Sequence, residues 1–328
     1  MKPLNIKNEF LPRSSASLLR VVFEALVLIH HLFPPYTSTG AVISSALGPI
    51  AVGGFVFLSG YGIGCSFTQK GDEYLKKLLI VRVPRTYAIL LIADLCYLAL
   101  YLAMGGAFDS AFSAMASVLY LPVFKGFIAL SHWIYFLADL LIYYLLFLLF
   151  AVIFKKLRNR LIWTAAAILI VDVIIIAVLS FVNHKTGSAR YLRACLCFPV
   201  GLICSAFFEK LASILSRNKI PLVISTLLIG AVLMILDCRS VTEYVLPIFT
   251  ALAFVAMLYG INTESRVLDY LSGLVIYVYV SHEFFLTVCR SLFSTLHTHA
   301  LGLIVFVCSA LFAILLDFIV RKCGKIKL

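Results

Sequence analysis

Residues 18–33 read "LLRVVFEALVLIHHLF", an apolar run interrupted only by Arg20, Glu24, His30 and His31. At about 1.5 Å of rise per residue the run is about 24 Å long as a helix. That is most of a bilayer's hydrocarbon core of about 30 Å. An α-helix turns about 100° per residue, so from Arg20 the side chains of Glu24 and His31 lie only about 40° and 20° around the axis, whereas His30 falls about 80° to the other side. Three of the four ionisable groups therefore share one stripe. Arg20 and Glu24 stand at i,i+4, the spacing of an ion pair that would lower the cost of burying either charge. A membrane histidine can serve merely as a hydrogen-bonding group between helices. Even so, ionisable groups inside a span are costly enough that a functional site is the default reading.

The rest of the chain agrees with a membrane setting. Of 328 residues, 63% are apolar and 13% charged, against roughly 45–50% and about 25% in ordinary soluble domains. Cutting at polar interruptions predicts ten transmembrane helices near 18–33, 49–67, 86–104, 131–154, 161–182, 192–208, 220–237, 242–260, 267–290 and 300–320. With both termini cytoplasmic, 6 of the 27 Lys and Arg residues fall outside (Lys125, Lys185, Arg190, Arg193, Arg239 and Arg290), leaving 21 inside. The asymmetry favours that orientation. The expected fold is thus an all-α integral membrane bundle forming a single domain over 1–328, with no soluble domain. No cleavable signal is expected, because the four ionisable groups suit a secretory apolar core poorly.

Residues 105–130, "GGAFDSAFSAMASVLYLPVFKGFIAL", are less apolar and read as a re-entrant or surface-lying segment. The net charge of +12 lacks a basic cluster on a polar domain, which argues against nucleic acid as a partner. There is no CxxC pair among the nine cysteines, so no metal is expected, and Cys65, Cys96, Cys195, Cys197, Cys204, Cys289 and Cys308 read as small buried thiols.

Two further stretches carry chemistry. The second span holds glycines at 53, 54, 60, 62 and 64, which let a neighbouring backbone approach closely or admit a narrow ligand chain. A loop then brings "RVPR" to the third span. Topology alone explains basic residues there, but Arg82 and Arg85 flanking Pro84 make a stiff guanidinium pair suited to phosphate.

The order of these features resembles the acyltransferase 3 family of membrane proteins. The match is carried by Arg20 and, eleven residues on, His31; by "FVFLSGY" at 55–61; by the RxxR of Arg82 and Arg85; by "HWIYFLADLLIYYLLF" at 132–147; and by "LSGLVIYVYVSHEFF" at 271–285, which puts His282 at the family's late histidine. Adjacent histidines leave the first register open by one residue, and the stripe favours His31.

The resemblance implies an O-acyltransferase of the bacterial cytoplasmic membrane, moving an acyl group, expected to be acetyl, from cytoplasmic acyl-CoA to a hydroxyl of a cell-surface glycan or other envelope acceptor. Arg82 and Arg85, with Arg20 and Ser59, would hold the donor, acetyl-CoA. The imidazole of His31 would act as base or transient acyl host, with Glu24 biasing its protonation. His282 would take part in catalysis, although it can also simply tie two helices together, and Tyr279 shares its face. Asp94, Asp139, Asp172 and Asp317 are expected to be buried, without an assigned role, and His297 and His299 to lie in an outer loop. The alternative is a transporter or flippase for a lipid-linked or small polar solute, with the polar stripe as its path. A ligand-free scaffold would not need these ionisable groups.

Overall fold

A computed structural model describes residues 11–32, 38–107, 110–112, 115, 135–182, 195–235, 244–259, 261, 264–293 and 298–323. Every regular element among them is helical. The helices are α1 (Arg13–Leu32), α2 (Ser38–Lys70), α3 (Asp72–Lys77), a π-helical turn (Leu78–Arg82), α4 (Val83–Ala103), α5 (Tyr135–Ile153), α6 (Arg160–Val182), α7 (Cys197–Ala206), α8 (Phe208–Ile235), α9 (Leu246–Leu258), α10 (Arg266–Leu292) and α11 (Thr298–Cys323). Each of the ten expected spans falls on a helix. Seven are long and apolar enough to cross a bilayer, or eight if the bent pair of α7 and the start of α8 counts as one crossing.

The stretch around the RxxR departs from expectation. It is helical rather than a loop: the helix starts at Asp72 and runs through the basic residues into α4. Pro84 lacks the N–H that would bond four residues back. Just ahead of it the backbone widens by one residue, and the Val83 N–H bonds to the Leu78 carbonyl five residues back. α4 ends in a Schellman cap: Gly105 has φ +82°, its N–H bonds to the Leu102 carbonyl, and the Gly106 N–H bonds to the Tyr101 carbonyl. Most of 105–130 lies outside the described residues, and so do His132, Trp133, His297 and the side chain of His299.

The sixth and seventh spans also differ. α7 is only ten residues long and bends by 95° at Phe207 into α8, so residues 209–219, expected as a loop, are helical. A second kink at Asn218 (φ −124°, ψ 26°) sits three residues before Pro221, where a proline within a helix breaks the hydrogen-bond ladder. The Asn218 amide donates to the Ile214 carbonyl at 3.1 Å, which satisfies one acceptor the kink exposes. Lys219 stands 5.3 Å over the Tyr259 ring and donates to the Tyr259 carbonyl, clamping the kink to the end of α9.

The chain forms two compact units. The first holds α1, α2, the last turn of α5, α6 to α9, and α10 as far as Ile276. Here α2 is the hub, packed on α1, α7 and α9. Its membrane-length window is 72% buried, against 22% for α6, whose apolar side chains face outward. Glycine explains the hub. A Cβ on Gly60 would lie 2.2 Å from the Phe198 carbonyl oxygen, one on Gly64 1.9 Å from Ser205 Oγ, and one on Gly201 of α7 2.4 Å from the Phe57 carbonyl oxygen. The two backbones touch because neither side carries a side chain. Gly62 meets nothing within 4 Å.

The second unit holds α3, the π turn, α4, most of α5, α10 from Tyr277 onward, and α11. Aromatic rings dominate its packing: Tyr97 meets Phe284 edge-on at 5.9 Å, and Phe285 meets Phe312 at 5.7 Å. Among the seven thiols expected to be buried, Cys96 is exposed and Cys65 and Cys308 half-buried; none of the seven is in a disulfide among the described residues. Of the four aspartates expected inside, Asp94, Asp139 and Asp172 are buried and Asp317 is half-buried.

Candidate active site

In the first unit the stripe on α1 is a row of polar positions beside a buried apolar row of Leu19, Phe23 and Val27. Phe23 fixes the rotation of the helix, with its ring edge-on to Phe55 of α2 at 5.8 Å and to Phe254 of α9 at 5.6 Å. It also fills the space that Gly54 leaves, since a Cβ there would come within 2.3 Å of the ring. Ser17 Oγ donates to Asp269 Oδ1 at 2.8 Å and Arg20 Nη1 donates to Ser272 Oγ at 3.3 Å, so the stripe is laced to the first turns of α10.

The expected Arg20–Glu24 pair does not form. Arg20 turns to Ser272, and Glu24, 5% exposed, has neither carboxylate oxygen hydrogen-bonded among the described residues. Burying a carboxyl without partners is costly. Packing alone does not account for its presence. His30 and His31 are both half-buried, their ring centroids 4.7 Å apart. They differ in what they touch: the His30 ring lies over Gly48, where a Cβ would stand 2.9 Å from its Cε1. That gives His30 a packing role on α2. Ser59, also half-buried, spends its hydroxyl proton on the Phe55 carbonyl at 2.9 Å and keeps its oxygen lone pairs for a donor group.

In the second unit the two arginines of the RxxR have different surroundings. Arg82 is half-buried with its guanidinium 5.6 Å over the Tyr74 ring. Arg85 is exposed and borders a cavity among α4, α10 and α11. His282 is buried on α10, with its Nδ1 2.7 Å from the Tyr279 carbonyl oxygen. A carbonyl only accepts, so Nδ1 carries the proton and donates it. In neutral His282 the basic nitrogen is therefore Nε2. The Tyr279 ring packs on Phe136 at 5.4 Å and on the imidazole at 5.8 Å, which orients both. Glu283 is buried next to His282 in sequence, and Tyr97 lies within electrostatic reach of Glu283 and Asp94.

Among the described residues every regular element is helical, and at least seven membrane-length helices with buried ionisable groups on several of them define a multi-pass membrane protein. The acyltransferase 3 family model, described as an acyltransferase domain, matches residues 14–320, and the chain belongs to that family. It is a membrane acyltransferase. No curated protein and no solved structure matches it.

Ser17, Asp269 and Ser272 were not among the residues singled out from the sequence. Their only signal is spacing: 17 and 20 on α1 match 269 and 272 on α10, both at i,i+3, and small polar residues at that interval can lace two helices. The cavity beside Arg85 left no signal at all.

Proposed function

We propose that this acyltransferase moves an acyl group, acetyl by expectation, from cytoplasmic acyl-CoA to a hydroxyl of an extracytoplasmic glycan or other envelope molecule. The full bundle is then ten helices in one domain, with both termini cytoplasmic, in the cytoplasmic membrane of a bacterium. The charge asymmetry supports that orientation.

In the reaction the hydroxyl oxygen attacks the thioester carbonyl, the C–S bond breaks, and the hydroxyl proton passes through an imidazole to the departing thiolate, leaving an ester and CoA thiol. His31 is that imidazole, or carries the acyl group transiently before the acceptor takes it. Glu24 stands about 10 Å along the same stripe and biases its protonation. His282 acts on the acceptor side with Tyr279 beside it. Arg82 and Arg85 hold the CoA phosphates, with Arg20 and Ser59 further along the donor's path.

The observation that carries this reading is the His282–Tyr279 hydrogen bond, because it fixes the tautomer of a buried imidazole and leaves Nε2 as its basic nitrogen. The test follows labelled acetyl from acetyl-CoA into the envelope fraction of cells expressing the wild type or His31→Ala at equal levels. The expected result is a loss of about 10²-fold or more in the variant. Unchanged transfer would remove His31 from catalysis. Solute flux in vesicles without any CoA-dependent transfer would favour a transporter instead.

A further inference from the structure

The second unit encloses a cavity of about 300 Å³ lined from α4 by Arg85, Ala88, Ile92, Ala93 and Tyr97 and closed by aromatic residues of α10 and α11. We propose that it holds one hydrocarbon tail of an anionic phospholipid from the surrounding bilayer, with the lipid phosphate at Arg85.

Its shape suits a single chain. From Arg85 to Tyr97 the lining advances twelve residues along α4, about 18 Å of helical rise, close to the depth of one leaflet's tails in a core of about 30 Å. The volume sits at the lower end of the roughly 300–1,000 Å³ of small-molecule pockets, which is room for one tail and not for two. Its rim is open: Ala88, Ile92 and Cys96 line it and are exposed, so a chain enters sideways without crossing water. The far end is shut by the edge-on contact of Tyr97 and Phe284.

The polarity is one-sided. Among the described residues of the lining, Arg85 is the only charged group. Ser281, which also lines it, already donates its hydroxyl to the Val278 carbonyl at 3.3 Å and asks nothing of an occupant. Arg85 is exposed and makes no hydrogen bond or ion pair among the described residues. A long apolar slot ending at one unengaged guanidinium is complementary to a hydrocarbon chain ending at a phosphate. A guanidinium has five N–H donors, so Arg85 can meet a lipid phosphate from the bilayer side as well as a donor phosphate from the aqueous side. The lipid site stands whether or not the acyl-transfer reading does.

The experiment purifies the full chain in mild detergent and exchanges it into phosphatidylglycerol or phosphatidylcholine of identical chains. The lipid retained through gel filtration is then counted by mass spectrometry. The wild type is expected to retain about one phosphatidylglycerol per chain with about tenfold preference over phosphatidylcholine, a difference of about 1.4 kcal/mol. Ala93→Phe and Ala88→Phe fill the slot and are expected to lower retention about tenfold. Ala88 is on the exposed rim, so its variant keeps the test valid if Ala93→Phe fails to fold. Arg85→Gln should retain lipid but lose the preference for phosphatidylglycerol. Equal retention of the two lipids by the wild type, no retained lipid, or undiminished retention by a monodisperse Ala88→Phe protein would each overturn the proposal.

Discussion

Small residues do opposite things in the two units. Where α2 crosses α7, glycines on both helices face each other, and the Phe198 and Phe57 carbonyls occupy the places where side chains would be. In the second unit Ala88 and Ala93 of α4 face mainly aromatic and branched residues of α10 and α11, Ser281 being the small exception, and a cavity remains. Close approach needs small residues on both sides of a contact. On one side only, they leave room for something else.

The strongest way to break that comparison is to put a side chain into the first contact. Gly60→Leu would drive its branch into a backbone carbonyl that cannot give way, and overpacking of this kind costs about 1–3 kcal/mol or more. The expected outcome is no monodisperse protein in size-exclusion chromatography after extraction. Ala93→Val, facing the cavity, should change the melting temperature by the equivalent of less than about 1 kcal/mol. A similar loss in both variants would erase the distinction between the units.

The next effect is on chemistry. His282→Ala is expected to lower acyl transfer by about 10²–10⁴-fold, the usual worth of a positioned acid or base. A merely structural histidine would instead show a lowered melting temperature with transfer falling no further than the folded fraction. His282→Asn, which can still donate to the Tyr279 carbonyl but has no basic nitrogen, should restore stability and not transfer.

Glu24 offers a smaller and opposite test. A buried carboxyl with no hydrogen bond costs stability, so Glu24→Leu is expected to raise stability by about 1–3 kcal/mol in thermal unfolding while lowering transfer. Gain of stability with loss of activity is what a group retained for function does. A destabilised Glu24→Leu protein would mean that the carboxyl is structurally engaged. The smallest expected change is Gly62→Ala, where a Cβ meets nothing. Helix propensity alone should leave stability unchanged or raise it by up to about 1 kcal/mol.

Much of the bundle was legible because a bilayer imposes one rule: long apolar runs become helices, and charged groups stay at their ends or turn inward. That rule put helices at all ten expected spans and gathered Arg20, Glu24 and His31 on one stripe of α1. It misled at the polar interruptions. Residues 72–85 and 209–219 were expected as loops because they are charged, yet both are helical. A helix supplies its own backbone hydrogen bonds and continues through charges wherever they can reach water.

Pairing was the other blind spot. The i,i+4 spacing of Arg20 and Glu24 describes two neighbours on an isolated helix. Ser272 of α10, 252 positions from Arg20 in sequence, offers the guanidinium a hydrogen bond that no local rule contains.

The sequence alone determined that the chain is a helical membrane protein and which residues carry ionisable chemistry into the bilayer, because hydropathy and helical periodicity are local properties, and the order of its motifs carried the resemblance to the acyltransferase 3 family. Only the tertiary structure decided that Glu24 has no hydrogen-bond partner among the described residues, that His282 presents Nε2 as its basic nitrogen, and that Arg85 ends an apolar slot while Arg82 stacks on Tyr74. Each of those depends on which side chains meet across helices, and such meetings are settled by packing between segments far apart in the chain.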